Sequence, residues 1–82
     1  MGQTEKEIME KLLAMAIEAL EQSIAERKLI REYFINDLIY EAEIAQRRSD
    51  KYYGYAHGIY QALLEMKYTH KDMIRLRELL KQ

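Results

Sequence analysis

The chain has 82 residues, enough for one small domain (1–82) and close to the lower limit at which a single core holds without staples. It contains no cysteine, which excludes disulfides and thiolate metal sites and makes an intracellular chain the simpler expectation. Apolar residues make up 49% and charged residues 33%, too hydrophobic for a disordered chain, and a net charge of −1 gives no overall nucleic-acid signal.

The charge is unevenly spread. Through residue 26 there are two basic and six acidic residues, a net of −4, which leaves +3 for the remainder. Such asymmetry can orient antiparallel helices or a partner. The longest uninterrupted apolar run, Leu12 to Ile17, is far short of a membrane span or a signal-peptide core. Met1-Gly2 opens like a myristoylation signal, but Lys6 stands where that motif needs Ser or Thr. A soluble, cytoplasmic protein with no membrane partner is expected.

Thr4 and Glu7 form a Thr-x-x-Glu capping pattern that starts the first helix. Ile8, Met9, Leu12, Leu13, Met15, Ala16, Ala19 and Leu20 then fall on one face, with Glu7, Glu10, Lys11, Glu18 and Glu21 on the other. Around Ile35-Asn36-Asp37 the apolar stripe jumps by roughly a third of a turn at about 100° per residue. Asn36 can take the left-handed conformation that ends a helix, and Asp37 can cap the next. A tight turn is expected there; the rival is one continuous helix with a four-residue stutter, since no Gly or Pro forces a break.

From Leu38 to Met66 the residues Leu38, Ala42, Ala45, Ser49, Tyr52, Ala56, Ile59, Leu63 and Met66 follow a 4-3 spacing, an a/d seam that asks for a facing helix. Arg47-Arg48-Ser49-Asp50 could end one helix and start another, but the heptad phase runs through it, which favours continuity. Tyr68 to His70 forms the next joint, with Thr69 and Asp72 as a second capping arrangement, and Met73, Leu76, Leu79 and Leu80 stripe a short last helix. The expected fold is therefore all-α: an antiparallel hairpin of two long helices, 4–34 and 37–67, each about 45 Å long, plus a short helix over 70–81.

A two-helix hairpin buries one seam and leaves its flanks wet. Ile8, Leu29, Ile39, Ile44, Leu64 and Ile74 lie off the main stripes and are expected to remain partly exposed. This predicts a homodimer, two hairpins making a four-helix bundle with the third helices as covers; a monomeric three-helix bundle is the rival.

The stretch Tyr52-Tyr53-Gly54-Tyr55-Ala56-His57-Gly58-Ile59-Tyr60 has the most unusual composition. Gly54 and Gly58 fall opposite the seam, where a Gly-x-x-x-Gly step lets another backbone approach closely. No apolar 20-mer surrounds them, so the membrane version of that motif is excluded. They form either a docking groove for a partner or the third helix, or an internal packing contact. Arg47, Arg48 and Lys51 precede the tyrosines, and basic residues among aromatics can hold phosphates and stack bases; a solvated face is the plainer reading. The partner-binding candidates are therefore Arg47, Arg48, Lys51, Tyr53, Gly54, Tyr55, His57 and Gly58. His57 and His70 belong to no Glu-x-x-His or His-x-x-x-His pair, so no metal site is expected. Ser23 and Ser49 have no His at helical spacing, and no catalytic residues and no cofactor are expected.

The text YYGYAHGIYQALLEMKY, Tyr52 to Tyr68, resembles the Tyr/Gly/Ala-rich amphipathic helices of small proteins encoded by phages and prophages. The resemblance covers about a fifth of the chain, rests on composition and carries over no functional residue. It implies an accessory protein that binds a host or phage component, as a regulator or inhibitor. The expected function is a non-enzymatic helical interaction protein that binds and modulates a macromolecular partner. A small nucleic-acid-binding regulator using Arg47, Arg48, Lys51 and Tyr55, and a structural coiled-coil scaffold, are the alternatives.

Overall fold

The structure is a computed structural model describing residues 4–82, so Met1-Gly2 lies outside the described residues. Three helices follow one another, α1 (Glu5–Ile35), α2 (Ile39–Glu65) and α3 (Lys71–Leu80). The expected hairpin with a short C-terminal helix is present, with element ends shifted by a residue or two. Thr4 caps α1 as expected, its hydroxyl accepting from the Glu7 amide at 3.2 Å. Residues 47–50 run through α2 without a break.

The turn forms, by a different mechanism from the one expected. Asp37, not Asn36, takes the left-handed conformation (φ 61°), while Asn36 sits at φ −93°. The Asp37 amide donates to the Phe34 carbonyl at 3.1 Å and the Leu38 amide to the Tyr33 carbonyl at 2.7 Å, a Schellman arrangement whose geometry requires the residue after the cap to be left-handed. Asn36 instead donates its side-chain amide to the Glu32 carbonyl at 2.9 Å. Asp37 is thereby spent ending α1, and α2 begins after Leu38 with no side-chain cap. The joint before α3 repeats the device: Lys67 is left-handed (φ 56°), donating to Leu64, and Tyr68 donates to Leu63. The expected Thr69 cap is also replaced. His70 caps α3, its Nδ1 accepting from the Asp72 amide at 3.0 Å.

Two seams of small and large side chains join α1 to α2. Leu13, Ala16, Leu20 and Ser23 meet Ala42, Ala45, Ser49, Ala56 and Leu63, all buried. Leu38 and Met66, the ends of the α2 seam, remain exposed because each lies where its helix has just begun or ended. At the middle Ser23 and Ser49 face each other. The Ser23 hydroxyl donates to the Ser49 carbonyl at 2.9 Å, the Ser49 hydroxyl to the Ser23 carbonyl at 3.2 Å, and the two hydroxyl oxygens lie 3.0 Å apart. Small side chains let the helices approach closely there, and a satisfied polar pair in an apolar seam fixes its register.

α3 folds back over one side of the hairpin. Met73 and Leu76 are buried against Leu13, Ile17, Leu20 and Leu63 in the core, and Leu79 and Leu80 pack at its edge. The Tyr53 hydroxyl donates to the Leu80 carbonyl at 3.0 Å, Arg75 pairs with Glu21 at 2.8 Å, and Arg27 donates to the Gln82 main-chain oxygen. α3 thus ends level with Arg27 and Tyr53. Beyond that level, towards the turn, the molecule is two helices wide and one layer deep.

Candidate functional site

The eight candidate residues lie on one helix but face three ways. A helix advances about 100° per residue, so positions three and four apart share a face and positions two apart oppose each other. Tyr53 and His57 point to the α3 side. Tyr53 is half-buried and bonded to α3, and the His57 ring stacks on it with centroids 6.2 Å apart. Tyr53 therefore helps to hold the fold rather than offering a free surface.

Arg47, Gly54 and Gly58 lie along the outer back of α2, all exposed. Neither glycine has a positive φ, and a Cβ built at either would meet nothing within 4 Å. The two glycines are accordingly not required by the turn of the chain or by packing within it. Neither the internal contact nor the α3 groove considered for them from sequence is their role.

Arg48, Lys51 and Tyr55 turn to the third side, opposite α3. There a groove between α1 and α2 is lined by Met15, Glu18, Ala19, Gln22, Lys51, Tyr52 and Tyr55. Separate hollows on the same side are lined by Ile8, Leu12 and Met66 at one end, and by Glu26, Tyr33, Ile44 and Arg48 at the other. Met15 and Tyr55 are exposed by 41% and 49% on its floor and wall. Arg48 lies 4.0 Å from Glu26 across the groove. The hairpin thus has two equivalent grooves, of which α3 fills half of one and leaves the other open.

The sequence carries a signal for this groove that a single-stripe reading merges with the core. Along α1 the positions Met9, Leu13, Ala16, Leu20 and Ser23 follow a 4-3 spacing and face α2. The same spacing one residue earlier, through Ile8, Leu12, Met15, Ala19, Gln22, Glu26, Leu29 and Tyr33, traces the open groove. Ile8, Leu29, Ile39, Leu64 and Ile74 are exposed as expected from their positions off the main stripes, and Ile44 is half-buried.

Of the titratable groups, burial pushes the Tyr68 phenol above its ordinary value, with the charges of Glu10 and Asp72 acting in the same direction. Among the described residues no cluster of three or more His, Asp or Glu is placed to hold a metal ion, and no helix is long and apolar enough to cross a membrane. Comparison with known proteins finds no matching family model, no similar curated protein and no similar solved structure.

Proposed function

We propose that this is a non-enzymatic helical interaction protein that binds and modulates a macromolecular partner through the outer back of α2, with Arg47, Gly54 and Gly58 at its centre. The observation that carries this reading is the glycine pair. Each glycine in a helix interior costs about 0.5–1 kcal/mol relative to alanine, and open space around both leaves that cost without an internal return. A smooth strip on the back of a helix suits close approach by a second backbone, with Arg47 to pair with an acidic partner. The resemblance of Tyr52–Tyr68 to phage and prophage accessory helices supports a regulator or inhibitor.

The test is affinity capture from the source cells with the native chain, Gly58→Leu and Arg47→Glu. Loss of one defined partner in both variants, with helical circular dichroism retained, supports the reading. Equal recovery of that partner by native chain and both variants overturns it. The nucleic-acid alternative is less well supported, because Arg48 faces away from Arg47 and lies beside Glu26. It predicts retention in a mobility-shift titration that weakens steeply with salt.

A further inference from the structure

The geometry points to the open groove opposite α3 as the docking site for a second copy of this chain, the two hairpins packing face to face as a four-helix core with their α3 helices outside. This inference goes beyond the partner surface on the back of α2 and uses a different face.

Shape is the first support. The Cα radius of gyration is 15.2 Å, where a compact chain of this length has about 12 Å, and the extents are 51 × 26 × 16 Å. The accessible surface is 6144 Å², against about 5,200 Å² for a monomer of this mass. The excess is close to the roughly 800 Å² that each partner contributes to a standard interface. Stable domains bury one layer of secondary structure against another, and over the tip half this chain supplies only one layer.

Where the excess lies is the second support. Ile8, Met15, Tyr55 and Met66 are all exposed, and all line the groove face. They form a strip along the hairpin rather than scattered single residues.

Charge decides between a second copy and an unrelated helix. The α1 wall carries Glu18 and Glu26, and the α2 wall carries Arg48 and Lys51, with Glu41 at the tip end. A two-fold axis running along the groove lays each α1 wall on the partner's α2 wall, acid against base, at matching levels. A self-complementary surface of this kind is what an isologous interface requires.

The test uses the full chain. Sedimentation equilibrium in the tens of micromolar is expected to give the mass of two chains. Met15→Glu and Tyr55→Glu, both at exposed positions, should each weaken the dimer by at least about tenfold while helical circular dichroism is retained. Glu18→Lys and Lys51→Glu, taken singly, place like charges across the axis and weaken it too. Mixed in equal amounts, these two single variants restore opposite charges at both contacts and should recover a two-chain mass as a heterodimer. A one-chain mass for the native protein overturns the proposal and leaves the groove to another occupant. A dimer indifferent to Met15→Glu and Tyr55→Glu, or a charge-swap mixture that stays monomeric, overturns it equally. Gly58→Leu, on the back of α2, is expected to leave the dimer mass unchanged, which separates this result from failure of the partner surface.

Discussion

Near Leu20 and Leu63 the hairpin is three helices deep and filled by leucine, isoleucine and methionine; near Ala42 and Ala45 it is two helices wide and closed by alanine and serine. The first region buries large side chains completely. The second buries almost none and leaves Leu29, Phe34, Ile35, Leu38, Ile39 and Tyr40 exposed, with Ile35 and Tyr40 at 75% and 71%. The same two helices run through both, so the difference comes from α3. Ten residues of helix, striped by Met73, Leu76, Leu79 and Leu80, turn half of the hairpin into a core and leave the other half as a seam.

This contrast can be broken most directly by truncating one side chain in each region. Leu20→Ala or Leu76→Ala, at fully buried positions, should cost about 2–5 kcal/mol in urea unfolding, because transfer and cavity terms add. Phe34→Ala at the tip should change stability by less than about 0.5 kcal/mol. Native-state hydrogen exchange should follow the same division, with tip amides opening at lower free energy than those around Leu20 and Leu63. Equal costs in the two regions would mean that the tip is covered in solution, as the face-to-face dimer would do in part.

The boundary between the regions is the serine pair, and its removal sharpens the comparison at intermediate size. Ser23→Ala removes the bond to the Ser49 carbonyl and Ser49→Ala the bond to the Ser23 carbonyl, so each should cost about 0.5–1.5 kcal/mol. The double variant should cost less than the sum, since the two hydroxyls lie 3.0 Å apart and either single variant already removes that shared contact. Additive losses would show that the two hydroxyls act independently of each other.

Backbone substitutions give smaller effects of opposite sign. Gly54→Ala and Gly58→Ala should each stabilise by about 0.5–1 kcal/mol, because both sites are helical and have room for a Cβ. Lys67→Gly should stabilise by a similar amount, about 0.4–1 kcal/mol, by relieving a left-handed residue that carries a side chain. Thermal unfolding with circular dichroism reads all three.

Much of this architecture was legible in the sequence because it depends on periodicity. The α2 seam from Ala42 to Leu63, the Thr4 cap and the short amphipathic α3 each follow from a local pattern with one physical reading. The two joints were placed correctly but assigned to the wrong residues. Asn36 has the better intrinsic preference for the left-handed region, yet the Schellman hydrogen bonds set which position must adopt it, and that position is Asp37. Tyr53 shows the same limit at the candidate site. Its position in a Tyr/Gly-rich stretch resembles a surface, whereas its contact with Leu80 depends on where α3 folds back, twenty-seven residues along the chain. The open groove was hidden for a related reason: its seam lies one residue from the core seam, and only packing separates the two.

The smallest effect probes the joint that lets α3 return. The Tyr68 hydroxyl is buried with no hydrogen-bond partner among the described residues, and burial together with Glu10 and Asp72 holds its pKa above the ordinary 10.0. The folded state therefore favours the neutral phenol. Its contribution is complete below pH 10.0 and is lost as pH rises above that value, where the unfolded chain ionises first. In urea titrations, native-chain stability should fall more steeply above pH 10.0 than that of Tyr68→Phe, with the two running parallel below it. The comparison cancels the other six tyrosines, which both proteins share. Parallel curves throughout would place the Tyr68 hydroxyl in water, and the α2–α3 joint would then be looser than the packing of Met73 and Leu76 beside it requires.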